Sequence, residues 1–293
     1  MRHIVLGVVM TGVMAGPVLA QEAATSRPAT GVISAEAVRA AFGSAAQAAQ
    51  AAAPAPKIVT VVVGADFPSL YFFRGIRQES DADFTMQPYV DVGIAASEKV
   101  TFNVGLWNSI HTGTSGSGTP DQGALYETDF YGSMTYAAGR WKSGVLFTSY
   151  NSPNDVFGTV NELAGVFTYD DSSRGLSLSP KLILAFELSG PGADGGDHKG
   201  TYFEAGIKPG FKIGPVGIGV PLKVGTSLSN YYEGSEGDSG FGFFQTGAVA
   251  TVAFPGFEIH GGFDFYSFGT TLKEFNANDR TKVVSNIGFS VTF

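Results

Sequence analysis

From residue 57 to the carboxy-terminus the hydrophobic and polar positions alternate. The last stretch, Arg280 to Phe293, shows the pattern most fully. Val283, Ser285, Ile287, Phe289, Val291 and Phe293 form one series, and Lys282, Val284, Asn286, Gly288, Ser290 and Thr292 form the other. Successive side chains of an extended strand point to opposite faces, so this stretch predicts a strand with one apolar face, one small or polar face and an aromatic end. The same alternation recurs over Lys57–Phe67, Phe84–Ala96, Val100–Trp107, Leu125–Ala138, Trp141–Tyr150, Val156–Tyr169, Leu176–Leu188, Thr201–Lys212, Val216–Tyr231, Gly240–Phe254 and Phe257–Phe268. The expectation is about twelve strands.

The connections between these strands sort by length. Ser97-Glu98-Lys99, Ala138-Gly139-Arg140, residues 170–175, Gly214-Pro215 and Pro255-Gly256 are tight, whereas 68–83, 111–123, 190–200, 233–239 and 269–279 are longer. Transmembrane barrels have short turns at one end and longer loops at the other, and closure hides every strand edge from lipid. A soluble β-sandwich has no reason to sort its loops this way. The prediction is an all-β fold, a closed antiparallel transmembrane β-barrel of about 12 strands. An even count would put both barrel ends on the periplasmic side.

The front of the chain supplies an address. Residues 1–20 carry Arg2 and His3, an apolar run from Ile4 to Met14, and the small-residue end Val18-Leu19-Ala20, which describes a cleaved secretory signal peptide too short to span a membrane as a helix. Residues 21–56 form an Ala/Pro-rich arm, flexible or partly helical from Ser34 to about Gln50. Residues 57–293 are the barrel, and the expected location is the cell outer membrane. Composition agrees: only 15% of residues are charged, against about a quarter in soluble chains. The net charge of −8 argues against nucleic acid as a partner. With no cysteine, thiol catalysis, disulfides and Cys-ligated metals are excluded.

Charge is costly on a lipid-facing position, so strand parity directs it inward. The pore-lining candidates on strands are Asp66, Tyr89, Asp91, Trp107, Glu127, Asp129, Tyr131, Lys142, Lys181, Glu187, Glu204, Lys208, Lys223, Glu258, His260 and Asp264. Gln87, Asn103, Glu162, Tyr202, Tyr266 and Lys282 share that parity. Both signs occur, so no single-sign ring selects one ion. A barrel of about twelve strands lies between side-chain-filled and water-filled interiors, leaving an open channel and an occluded lumen as alternatives. In the first long loop, Arg74 and Arg77 either fold inward to constrict the mouth and attract anions, or stay exposed.

The runs Val63-Gly64-Ala65-Asp66 and Tyr71-Phe72-Phe73-Arg74-Gly75-Ile76 carry a family resemblance. So do Val104-Gly105-Leu106-Trp107-Asn108-Ser109, Glu127-Thr128-Asp129-Phe130-Tyr131-Gly132 and the aromatic end Gly288 to Phe293. Over the barrel the chain resembles porins of the TorF family, from which it departs by Phe67-Pro68-Ser69-Leu70 and by the long arm. The resemblance implies an outer-membrane channel of undefined substrate and assigns no catalytic residues; the reading is a porin-like channel for small solutes or ions, with no cofactor expected. It also resembles outer-membrane barrels generally in the final Phe293, which the insertion machinery reads. Outer-membrane lipid and lipopolysaccharide would surround the wall and its acidic loops, and a homo-oligomer is compatible with the pattern. Two other functions compete: a non-conducting scaffold recruiting a periplasmic partner through the arm, and a lipid hydrolase suggested by His111 beside Thr112, Thr114 and Ser115. The latter lacks a base held by a third group in the sequence pattern, and the four His form no ligand cluster.

Overall fold

The computed structural model describes residues 58–293 apart from 80–82, 113–123, 172–176, 191, 193–195, 236 and 238–239. The expected signal peptide and arm lie outside the described residues. In chain order the elements are β1 (Val59–Pro68), β2 (Phe72–Phe73), β3 (Ile76–Arg77), β4 (Phe84–Ala95), β5 (Val100–Thr112) and β6 (Leu125–Ala138). Then come β7 (Trp141–Asn151), β8 (Val160–Tyr169), β9 (Lys181–Ser189), β10 (Thr201–Ile207), β11 (Gly210–Ile213), β12 (Val216–Gly219) and β13 (Leu222–Ser229). The chain finishes with β14 (Gly240–Phe254), β15 (Phe257–Phe268), a one-turn helix α1 (Thr270–Phe275) and β16 (Thr281–Thr292).

All elements but β2, β3 and α1 join one antiparallel sheet that closes on itself. Each wall strand pairs with its predecessor, and β1 pairs with β16 from Val62 opposite Thr292 to Pro68 opposite Asn286. Within the wall, β10 and β11 are one strand interrupted at Lys208-Pro209, and β12 and β13 one strand interrupted at Val220-Pro221. Proline offers no N–H to a ladder, so the two adjacent strands break where it stands. Among the described residues the wall therefore has twelve strands, as the alternation predicts.

Strand parity sorts the faces. On β8, Val160, Glu162, Ala164 and Val166 are buried while Leu163 and Phe167 are exposed. On β9, Ile183, Ala185 and Glu187 are buried against exposed Leu182, Phe186 and Leu188. The buried series faces the barrel interior, so the outer surface is an apolar band and the core lies inside the barrel. Trp141 and Tyr169 pack together next to the β6–β7 turn, with ring centroids 4.7 Å apart, while Phe254 and Phe257 flank the β14–β15 turn. Aromatics at the rim of the apolar band are the expected arrangement for a transmembrane barrel.

Three local readings are corrected. The strand expected from Leu176 begins at Lys181. Asp171 accepts hydrogen bonds from Ser177 Oγ, Leu178 N–H and Ser179 N–H at 2.6–2.9 Å, and Ser179 has a positive φ of 46°, so residues 177–179 have only an isolated bridge to the wall, Ser177 with Gly210. Those bonds, Ser177 first, hold the Asp171 carboxyl down at about 2. The connection 170–180 is consequently long although it sits at the end of the tight turns. Second, β5 runs on to Thr112, so His111 belongs to the wall and not to the following loop. Third, the last loop contains α1.

Candidate functional site

The long connection between β1 and β4 does not lie over the mouth. Its residues Phe72–Phe73 and Ile76–Arg77 pair as a small antiparallel hairpin separate from the wall sheet. The two central residues, Arg74 and Gly75, both have positive φ, at 43° and 81°. A two-residue turn with both φ positive matches the twist of a hairpin, and glycine suits the second position. Arginine at the first is unusual there, which directs attention to its side chain.

Arg74 is buried, with 6% of its surface exposed, and it is the only fully buried Lys or Arg among the described residues. Its two terminal nitrogens donate to both oxygens of Glu162 on β8, Nη1 to Oε2 at 2.6 Å and Nη2 to Oε1 at 2.8 Å. Nη1 also donates to Tyr231 Oη at 2.7 Å. The guanidinium carbon stands 4.2 Å from the ring centre of Tyr202, 4.9 Å from that of Phe73 and 5.2 Å from that of Tyr231. This is a forked carboxylate pair inside an aromatic box, the setting in which a charge-assisted, desolvated guanidinium interaction is strongest.

The rest of the hairpin is tied at several points. Tyr232 Oη donates to the Arg74 carbonyl at 2.8 Å, and Asn276, just after α1, donates to the Gly75 carbonyl at 2.7 Å and accepts from Arg77 N–H at 2.9 Å. Tyr71 Oη donates to Glu127 on β6 at 3.0 Å, its N–H donates to Glu79 at 2.5 Å, and its ring meets Trp107. Tyr126 donates to Gln78 at 3.1 Å. Loop, hairpin and wall thus form one packed cluster in the lumen.

The candidates that lie on strands take inward parity, whereas Lys208 falls between β10 and β11 and is exposed. Asp66, Asp91, Trp107, Glu127, Asp129, Tyr131, Glu187 and Glu204 are buried, while Tyr89, His260 and Asp264 are half-buried on the same series. Lys142, Lys181, Lys223 and Glu258 also take this parity, and Lys208 sits at the wall interruption against Gly219. The structure joins Asp91 with Asn103 (2.7 Å) and Tyr131 (3.1 Å), Glu204 with Lys223 (3.6 Å) and Tyr202 (2.8 Å), and Asp66 with His260 (2.7 Å) and Asn286 (2.9 Å). Of the two mouth arginines, Arg77 is half-buried and donates Nε–H to the Glu79 carbonyl. Arg74 already has its carboxylate, so neither offers the free cation that an anion-attracting mouth needs.

Sequence reasoning missed Phe73, Tyr231, Tyr232, Asn276 and Glu79 as parts of this cluster. The Phe-Phe-Arg-Gly-Ile-Arg run carries a readable hairpin signal, since Arg-Gly fits a two-residue turn between apolar pairs. Nothing local announces that Tyr231 and Tyr232 meet it.

His111, isolated in the sequence, has neighbours. Its Nε2 is 2.6 Å from Ser109 Oγ and its Nδ1 3.7 Å from Glu79 Oε2. The trio has the residue types of a nucleophile, base and orienting acid, but Ser109 is fully buried and Glu79 is engaged by Tyr71 and Thr85. Elsewhere on the inward face, Gln87 Nε2 on β4, Asn103 Oδ1 and Trp107 Nε1 on β5, and Ser133 Oγ on β6 are buried without a hydrogen-bond partner among the protein groups described.

No family model and no curated protein sequence matches the chain. Solved structures do. The COG4313 outer membrane channel from Pseudomonas putida F1 aligns with a TM-score of 0.52 at 7% identity, covering 83% of this chain and 100% of that one. The NanC porin aligns at 0.48 with 10% identity over 79% and 98%, and LpxR from Salmonella typhimurium at 0.44 with 6% identity over 79% and 99%. The first likeness establishes a shared fold; the other two lie below the level at which shape alone carries an argument. The chain has a closed twelve-strand antiparallel barrel, the fold it shares with the COG4313 outer membrane channel.

Proposed function

We propose that this chain is an outer-membrane channel for small solutes or ions whose passage is held shut by the β2–β3 hairpin. The observation that carries the reading is the Arg74–Glu162 pair, which anchors a loop segment in the centre of a polar-lined, closed wall. The resemblance to TorF-family porins and the likeness to the COG4313 channel point the same way. In this reading the apolar outer band contacts outer-membrane lipid, both barrel ends are periplasmic, Phe293 engages the insertion machinery, and no catalytic step is involved.

The occluded lumen equally suits a second reading, a non-conducting scaffold. Planar-bilayer recordings separate them. The wild type should give rare openings, and a variant with residues 71–78 replaced by a Gly/Ser linker should give steady current. Silence from both, with each protein shown to be folded, would overturn the channel and leave the scaffold.

A further inference from the structure

We infer that Arg74 occupies a binding site for organic cations bearing a guanidinium group, and that such cations are the solutes this channel admits. The inference rests on the channel reading and names its solute class. Three observations carry it.

The box around Arg74 belongs almost entirely to the wall and an adjoining loop. Glu162 comes from β8, Tyr202 from β10 and Tyr231 from the connection after β13; of the contacts named above, Phe73 alone travels with the hairpin. Withdrawal of the hairpin would therefore leave a formed site: a carboxylate presenting both oxygens, a phenol oxygen and two aromatic faces. Tyr202 and Tyr231 are held 5.0 Å apart, and Tyr202 Oη is fixed by Glu204 at 2.8 Å, so the box does not depend on its occupant for its shape. A planar fork of donors fills it. An ammonium would satisfy the charge but would not reach both carboxylate oxygens in plane.

The charge balance inside the barrel has one sign at depth. Among the described residues the buried wall carboxylates are Asp66, Asp91, Glu127, Asp129, Glu162, Glu187 and Glu204, and Arg74 is the only buried Lys or Arg. The lysines are less buried, with Lys223 at 21% side-chain exposure beside Glu204. Carboxylate-lined constrictions favour cations. Removing Arg74 leaves Glu162 without its cation in an interior that is already acidic.

The turn geometry adds a third observation. A non-glycine residue at φ 43° is tolerated at a cost, and the side chain it delivers reaches the one forked carboxylate contact in the lumen among the described residues. The hairpin tip is thus a tethered copy of the ligand, and a free guanidinium compound competes with it for Glu162 and draws the equilibrium toward the open state.

The test uses the purified full chain in planar bilayers with argininamide as probe, lysinamide as the ammonium comparison and citrulline amide as the neutral one. Arg74→Gly should conduct, select cations in a KCl gradient, and be blocked by argininamide. Lysinamide should be at least about tenfold weaker and citrulline amide ineffective. Arg74→Gly/Glu162→Gln should conduct without that block. Block that persists in the double variant, equal block by all three amides, or anion selectivity would overturn the inference while leaving the channel intact. Current absent from this variant and from the hairpin replacement alike would defeat the channel reading. Calorimetry then decides the site by itself: argininamide binding to Arg74→Gly that Glu162→Gln abolishes sustains it, and no binding ends it. Heat-dependent gel mobility checks folding, with Arg74→Lys as the variant that keeps the charge.

Discussion

Arg74 on the lumenal hairpin and Glu162 on β8 face one another through both terminal guanidinium nitrogens and both carboxylate oxygens, at 2.6 and 2.8 Å. A buried pair stabilises little relative to an apolar replacement, but losing one partner strands a charge and costs about 3–5 kcal/mol. Glu162→Gln should therefore lower the unfolding temperature of the purified barrel and raise open probability together. Arg74→Met/Glu162→Met should recover most of the thermal stability. Equal stability of the single variant and the wild type would show that the pair does not anchor the hairpin.

Gly105 on β5 lies opposite Tyr131 on β6, and an added Cβ would come within 2.1 Å of the Tyr131 ring and hydroxyl. The aromatic ring lies across the glycine, which lets Tyr131 Oη reach Asp91 at 3.1 Å. Gly105→Ala should push the ring away and destabilise the barrel by about 1–3 kcal/mol. Adding Tyr131→Ala should make the effects less than additive, because one contact is removed twice. Thermal unfolding of the four proteins in this cycle gives the coupling; strict additivity would refute the contact.

The wall was legible because its determinants are periodic. Alternation over β8 and β9 separates Glu162 and Glu187 from Leu163 and Phe186 without knowledge of any neighbour. The alternation runs on through residues 177–179, yet three hydrogen bonds to Asp171 and the positive φ of Ser179 leave that segment with only an isolated bridge to Gly210. The lumenal cluster was harder to read. Arg74 meets Tyr231 at a separation of 157 residues and Gly75 meets Asn276 at 201, and no local pattern encodes such encounters. Parity could say that Glu162 points inward, but only the folded hairpin says that it receives an arginine.

Two loops at the hairpin end are joined by Glu233, which accepts from His198 N–H at 2.8 Å and lies 3.0 Å from His198 Nδ1. Burial works to raise the Glu233 pKa, but the hydrogen bonds from His198 and from the Asp197 and His198 backbone outweigh it and hold the carboxyl below its ordinary value. A depressed carboxylate contributes stability above its unfolded pKa, and that contribution disappears as pH falls through the folded value. The loop contact should therefore survive at neutral pH and loosen only in acid, below the usual glutamate range. Protection factors of the Asp197 and His198 amides, taken against the intrinsic exchange rate at each pH, should be high at pH 7, fall in acid, and be low at both in Glu233→Gln. Protection unaffected by this substitution would remove Glu233 from the contact.

The closing seam offers a test of the barrel itself. Asp66 on β1 accepts from Asn286 on β16 at 2.9 Å and lies 2.7 Å from His260 Nε2 on β15, so one carboxylate spans three consecutive wall strands. Gly288 on β16 makes room for it: a Cβ there would stand 2.4 Å from Asp66 Oδ1 and 2.5 Å from His260 Nε2. Since β1 and β16 join the two ends of the wall, loss of this clamp should act first on their mutual ladder and spare strands on the far side. Asp66→Ala should speed amide exchange along Val62 to Pro68 and in the opposing half of β16. Exchange on β7 and β8 should remain as in the wild type. A uniform loss of protection around the whole barrel would mean instead that the seam has no separate stability and that Asp66 acts only through global folding.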